Sequence, residues 1–246
     1  MEVSPGERVT VVSPHLDDAV LSLGATIAQA VRRGVSVTVL TVFACDPEST
    51  APTKGWDARA GFATEGEAAR VRRLEDAAAC AVVGAEPRWL PFGSVDYERH
   101  GAAADVTDAV TDALADTSAL LLPGAPLTHP DHAWLTGALA GTALGERRVG
   151  LYAEQPYLTR TSAPSADEVP TWLCELLRRR PQLERTSARP RDWLAKRGAV
   201  RSYRSQLPLL ALAGAGVARL ERHLLTEARA GGERAWLPEE ASSRRP

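Results

Sequence analysis

The sequence predicts a doubly wound α/β fold with a mainly parallel sheet and a helical C-terminal extension. Three observations carry that expectation. Apolar, β-branched runs alternate with helically spaced apolar positions from the N-terminal region onward. The run 35–43 (VSVTVLTVF) is almost continuously apolar, as in a strand buried on both faces. A helical pattern separates it from an earlier strand-like run, so residues 8–43 form a parallel strand–helix–strand unit.

In order, residues 8–13 (RVTVVS) form the first strand, stopped at Pro14. Residues 19–33 space Val20, Leu21, Leu23, Ile27, Ala28 and Val31 as a helix does, and Gly34 closes it. The second strand follows over 35–43. Residues 46–61 are rich in Pro, Gly, Ser and Thr without periodicity, a long loop of the kind that carries function. A charged helix over 64–83 ends at Gly84, and 88–91 is a third strand. A helix over 105–114, a buried strand over 119–122 (ALLL), a helix over 130–144 and a strand over 149–152 complete the alternation. Beyond Pro156 the chain turns Arg- and Pro-rich, with helices expected around 170–180, 192–206 and 215–230. Residues 1–246 are expected to form one domain: a core over 1–155, a helical extension over 156–238 and a flexible tail over 239–246.

Composition narrows the function. With 246 residues, 44% hydrophobic and 24% charged, the chain is of globular type and long enough for a real core. A net charge of -2 removes the bulk electrostatic case for nucleic acid. The N-terminal half is acidic and the C-terminal half basic, which fits either two polarised lobes around a cleft or an ordinary solvated surface. No apolar run approaches the roughly 20 residues needed to span a bilayer. The three cysteines, Cys45, Cys80 and Cys174, form no CxxC pair, and residues 1–7 are polar, so a cytoplasmic protein without a signal peptide is expected. No nucleic-acid or membrane partner is expected, and a homo-oligomer is compatible with the sequence.

Two short segments concentrate the chemistry: Ser13-Pro14-His15-Leu16-Asp17-Asp18 and Thr128-His129-Pro130-Asp131-His132. Each lies where a parallel strand runs into a helix. If the strands are ordered 3-2-1-4-5, strands one and four are neighbours where the winding reverses, and ligands bind in the crevice there. Two imidazoles and a carboxylate bind zinc with positions left open, the pattern of a catalytic site. Such an ion acidifies water and polarises a carbonyl, a second carboxylate takes a proton, and a further histidine serves a developing oxyanion or a leaving amine. Iron sites also use two histidines and a carboxylate, but the strand–helix alternation argues against the all-β enzymes that carry them. Cys45 follows the second strand with no base beside it, which suits a buried thiol better than a nucleophile. Trp56, in the long loop, either stacks on a sugar face or merely packs. No GxGxxG follows the first strand, which argues against a dinucleotide.

The segments HLDD (15–18) and HPDH (129–132) resemble the motifs, roughly (P/A)HPDDE and HPDH, of the zinc-dependent de-N-acetylases of the PIG-L or LmbE-like family. The resemblance implies a Rossmann-like hydrolase that removes acetyl groups from N-acetylglucosaminyl compounds, so the partner it implies is a small N-acetylated sugar. It implies Zn2+ held by His15, Asp18 and His132, with iron or cobalt as substitutes. It makes Asp17 the general base, His129 the electrostatic stabiliser or acid, and Asp131 an orienter of His129. Arg72-x-x-Glu75 looks like the family's Arg-x-x-Glu helix, whose arginine contacts the sugar; Asp96 lies near the place of a substrate-binding aspartate; Tyr203-Arg204-Ser205-Gln206 looks like a recurrent Tyr-x-Ser-Gln element. Leu16 and Ala19 depart from the motif at positions that are not ligands. An amidase acting on a thiol-sugar conjugate shares the same chemistry. A silent metal-binding protein would have no use for a base at Asp17.

Overall fold

Strand β1 (Arg8–Ser13) pairs in parallel with β2 (Ser36–Thr41) on one side and with β4 (Ala119–Ala125) on the other. The computed structural model in which this is seen describes residues 4–140, 142, 144, 147–160, 175, 181–212 and 217–238. Beyond β2 lies β3 (Glu86–Trp89), and beyond β4 lies β5 (Arg148–Ala153), all parallel. The order 3-2-1-4-5 is therefore the order observed, within a seven-stranded sheet β3-β2-β1-β4-β5-β7-β6.

The last two strands were not expected. The C-terminal extension contributes helices, but it also adds β6 (Pro181–Thr186) and β7 (Glu233–Pro238), antiparallel to each other, with β7 antiparallel to β5. Strand β7 (ERAWLP) is short, yet it alternates as a central strand must. Trp236 enters the core on one face of the sheet, while Ala235 and Leu237 face the other. Gly232 precedes it at φ +114°, and a Cβ there would lie 1.9 Å from the Thr186 carbonyl oxygen. The Gly231-Gly232 pair was the available sign that a helix ends and a strand begins. The helix expected around 170–180 lies, apart from Glu175, outside the described residues, as do Cys174 and the tail 239–246.

Helices cover both faces. Helix α1 (Asp18–Arg32) and helix α3 (Glu65–Val83) pack with α7 (Pro190–Val200) over one face, where Val11, Leu23, Ile27, Cys80 and Val200 meet. Helix α3 starts at Thr64, whose hydroxyl accepts the Glu67 N–H (3.1 Å), and stops at Gly84 in the left-handed conformation (φ 80°). On the other face, α4 (Ala103–Ala113) and α5 (Pro130–Ala140) bury Val106, Val110, Leu135 and Leu139 against Leu120, Leu122 and Trp236. The long loop contains a short helix, α2 (Gly55–Arg59). A 3-10 turn (Val95–His100) and helix α6 (Tyr157–Arg160) complete the rim around the carboxyl ends of β1 and β4; α8 (Leu207–Leu212) and α9 (Val217–Arg229) follow α7. Among the described residues no helix is long and apolar enough to cross a membrane.

Candidate active site

The turn from β1 into α1 is locked by Ser13, whose hydroxyl donates to the His15 carbonyl (2.6 Å) and accepts the Ala19 N–H (3.0 Å). Asp18 Oδ2 accepts the His15 N–H (2.9 Å), which folds the turn back on itself. The second segment leaves β4 through Leu127, a non-glycine residue at φ 50°. That conformation is held by Glu154, at the end of β5, whose Oε2 accepts the Leu127 N–H (2.7 Å). Pro130 then opens α5 and places His132 one turn after His129.

These turns bring His15, Asp18 and His132 together. His15 Nδ1 lies 3.2 Å from Asp18 Oδ2 and 3.2 Å from His132 Nε2, and His132 Nε2 lies 3.1 Å from Asp18 Oδ2. The outer ring nitrogens are bound to carboxylates, His15 Nε2 to Asp131 Oδ2 (3.1 Å) and His132 Nδ1 to Glu154 Oε1. With its proton held on the outer nitrogen by that carboxylate, each imidazole turns a bare nitrogen inward. In that protonation state three lone-pair atoms face one point, an arrangement that suits a cation between them; without one, a proton on either ring serves Asp18 in its place. Ligands of a tetrahedral zinc are about 3.3 Å apart, so the triad fits such an ion by both spacing and donor type.

Electrostatics point the same way. Burial works against a charged His132, yet Asp18 and Glu154 outweigh it and raise its pKa to about 10. His15 is raised against the same burial cost by Asp131 and Asp18. Asp18, despite burial, is held well below the usual carboxylate range by His132 and His15. The pocket demands positive charge. His129 is different: burial, then His15 and His132, push it down to about 4. The ring nitrogens of His15, His129 and His132 lie within 4.8 Å of one another. His129 Nδ1, however, accepts the Asp131 N–H (3.2 Å), which places the proton of the neutral ring on Nε2.

The Asp131 side chain lies nearer to His15 than to His129, the residue it was expected to orient. Asp131 Oδ2 is 3.8 Å from His129 Nδ1 but 3.1 Å from His15 Nε2, and the fully buried carboxylate also accepts the Val95 N–H at 3.1 Å. Asp131 orients His15, because α5 carries its side chain across to the neighbouring strand's turn.

A cavity of about 320 Å³ opens over this cluster, and Asp17, Trp56, Arg72, Asp96, His129 and Tyr157 are among its walls. The buried Asp17 carboxylate makes no hydrogen bond among the described residues, and burial together with Asp18 pushes it up to about 7 against the opposing charge of Arg72. It has a free lone pair and the basicity a general base needs. Arg72 does not pair with Glu75 or Asp76. Its Nη1 donates to Asp57 Oδ1 (2.9 Å) on α2, and its buried Nε has no partner among the described residues. Glu75 and Asp76 instead anchor the Tyr203–Gln206 element: Glu75 accepts the Ser205 N–H (2.8 Å) and hydroxyl (2.6 Å), and Asp76 accepts the Tyr203 hydroxyl (2.8 Å). Trp56 donates its indole N–H to Gln206 Oε1 (2.5 Å), so one edge of the ring is tied down while the residue stays at the cavity wall. Asp96 accepts the Trp56 backbone N–H (3.1 Å) and approaches so close to Gly55 that a Cβ there would lie 1.8 Å from its Oδ2. Cys45 is a dormant thiol, buried and pushed up to about 12 by burial and by Glu65. A second cavity of about 260 Å³, with a mixed apolar and polar lining, lies under the C-terminal part of α1, away from these groups.

Sequence reading missed Glu154 and Asp57. A charged residue directly after the buried strand β5, next to the switch point, was the sign for Glu154. Asp57 gave none, because its pairing with Arg72 and with the Tyr97 hydroxyl (3.0 Å) joins three separate elements. Replacing Glu154 with glutamine is expected to weaken metal affinity about 10- to 100-fold, as loss of an orienting carboxylate does. Chelator competition measures this, and an unchanged affinity would mean that Glu154 serves only the Leu127 turn.

A family model described as PIG-L, GlcNAc-PI de-N-acetylase, matches residues 10–143. Among solved structures, A40926 pseudoaglycone deacetylase Dbv21 superposes with a TM-score of 0.74 at 31% identity, covering 94% of this chain and 96% of its own. The zinc-inhibited form of teicoplanin deacetylase Orf2 superposes with a TM-score of 0.74 at 26% identity, covering 96% of this chain and 100% of its own. The N,N'-diacetylchitobiose deacetylase of Pyrococcus horikoshii shares the fold, with a TM-score of 0.56 at 18% identity over 94% of this chain and 82% of its own. Comparison with curated protein sequences gave no match.

Proposed function

The chain belongs to the PIG-L (GlcNAc-PI de-N-acetylase) family, and from that premise we propose that it removes the N-acetyl group of an N-acetylglucosaminyl-type glycoconjugate at a zinc site formed by His15, Asp18 and His132. Family membership makes it an N-deacetylase, a hydrolase of amide bonds. The observation that carries the finer reading is the convergence of three lone-pair atoms at 3.1–3.2 Å beside an unpaired, buried Asp17.

A dication at this site supplies Lewis acidity for the acetyl carbonyl and lowers the pKa of water. The chain's own residues do the rest. Asp17 takes the proton of the attacking water as its oxygen bonds to the acetyl carbon. His129 offers its Nε2–H as a hydrogen bond to the developing oxyanion, and the proton that Asp17 took from the water passes to the departing nitrogen. The C–N bond breaks, and the products are acetate and a free amine. Asp131 and Glu154 hold the two ligand imidazoles in the tautomer that leaves the inner nitrogens bare. Arg72 and Asp96 present a donor fork and an acceptor pair for sugar hydroxyls, with Trp56 closing one side. Residues 1–246 act as one domain in this reading, since the Tyr203–Gln206 element holds both α3 and the Trp56 loop.

The test is a mass-spectrometric screen for loss of an acetyl group. It uses N-acetylglucosamine conjugates and, beside them, A40926 pseudoaglycone and teicoplanin, the compounds after which the two similar deacetylases are named. Acetate release that stops on chelation and returns with zinc supports the reading; release that ignores chelation removes the metal from it. Arg72→Ala is expected to keep its metal and to lose about 1–3 kcal/mol in kcat/KM. Unchanged kcat/KM would confine Arg72 to holding Asp57.

A further inference from the structure

Helix α1 is not continuous. Leu23 departs from helical geometry (φ -126°, ψ 15°), dividing a short N-terminal half that carries Asp18 from a long half that packs on the sheet. A continuous helix would join the Thr26 N–H to the Ser22 carbonyl. Here an ion pair stands between them. Lys196 Nζ, on α7, donates to the Ser22 carbonyl (3.4 Å) and to Glu233 Oε1 (2.6 Å). Glu233, which begins β7, accepts the Ala25 N–H (3.0 Å) through Oε1, and the Thr26 N–H (2.6 Å) and hydroxyl (2.5 Å) through Oε2. Side chains inserted into the helical ladder are a recognised cause of a break. The lysine stem passes directly over Gly24, where a Cβ would lie 2.8 Å from Lys196 Cγ.

The cluster is buried, with Lys196 and Glu233 no more than 1% exposed. Glu227, on α9, is the second counter-charge to Lys196 (3.2 Å), and its other oxygen accepts from Gln155 Nε2 (3.1 Å). Among the described residues its carboxylate makes no hydrogen bond to α1. Buried ion pairs are poor stabilisers compared with apolar side chains of similar size, so stability alone does not explain three charges at a helix break. The position does. The short half of α1 begins at the Asp17-Asp18 pair, and the Ser22 hydroxyl accepts the backbone N–H of Gln155 (3.0 Å), the neighbour of Glu154 that binds His132.

We propose that Lys196 and Glu233 are positioning residues for the metal centre. By occupying the broken Thr26–Ser22 bond they let the short half of α1 point where Asp17 and Asp18 must be, while the long half follows the core. This inference rests on the metal site proposed above.

The experiment compares Glu233→Gln with Glu227→Gln in the full chain. Both remove one negative charge from the same buried cluster. An amide at 233 can no longer accept on both sides from the α1 backbone, whereas at 227 a flip of the Gln155 amide restores both hydrogen bonds. With folding verified by far-UV circular dichroism, Glu233→Gln is expected to weaken zinc affinity about tenfold or more and to lower kcat with KM unchanged. Glu227→Gln is expected to keep the wild-type zinc affinity and kcat. Equal effects from the two variants, or no effect from either, overturn the inference and leave the metal site standing. A wild-type chain that binds no dication overturns the metal site and this inference together. If Glu233→Gln does not fold, Gly24→Ala displaces the lysine stem while favouring helix; it is expected to weaken zinc binding, and wild-type affinity in that variant overturns the inference.

Discussion

Asp17→Asn is expected to fold, to retain its metal and to lose about 10²- to 10⁴-fold in kcat, the usual worth of a general base. Asparagine fills the same volume and Asp17 is not one of the converging ligands, so metal content serves as the internal control. The measurement is turnover per bound metal, with the ion counted by elemental analysis. Wild-type kcat in a metal-loaded variant would take the base away from Asp17. The pH profile carries the sign. Asp17 works ionised, so activity falls as pH drops through its pKa, which burial and Asp18 push up to about 7. A neighbouring dication draws that value down, so the acid limb of kcat lies at or below about pH 7 and is absent from the asparagine variant. Loss of the Arg72 charge removes an opposing influence, so the limb moves to higher pH in Arg72→Ala.

His132→Ala is expected to lose the metal altogether, and turnover with it. The imidazole is fully buried and stands between two carboxylates, Asp18 at 3.1 Å and Glu154 on its other side. Its removal takes the imidazole partner from both, leaving Asp18 with His15 and Glu154 with the Leu127 N–H; breaking a buried pair costs up to about 3–5 kcal/mol. Wild-type protein is expected to carry about one divalent ion per chain, and the variant none. Where the variant fails to fold, chelation of the wild-type protein gives the same answer: activity disappears with the ion and returns with zinc. Full metal content in a folded His132→Ala would retire the ligand set.

Much of the site was legible in one dimension because its chemistry lies at strand–helix junctions. Strands β1 and β2 are apolar on both faces, so their runs are continuous and their ends sharp. Once they were placed, HLDD and HPDH fell at corresponding ends of adjacent strands, and parallel pairing of β1 with β4 does bring them together. Other partners were hidden for definite reasons. Asp131 is two residues from His129 in sequence, yet its carboxylate reaches His15, because a helical side chain follows the turn of the helix rather than chain proximity. Arg72 had acidic neighbours three and four residues ahead on its own helix, and Asp57 on the loop displaced both. Strand β6 (PQLERT) is polar as an edge strand tends to be, and periodicity alone does not distinguish it from loop.

By itself the sequence determined the alternation of strands and helices and the residue types that gather at the strand–helix junctions. These follow from short-range causes: apolar period and proline and glycine stops. Only the tertiary structure decided which carboxylate orients which imidazole, that Arg72 answers to Asp57, that the C-terminal segment closes the sheet with β7, and that Lys196 and Glu233 part helix α1. Each of those is a buried polar contact between distant segments, formed because a charge removed from water takes the partner that packing brings within reach.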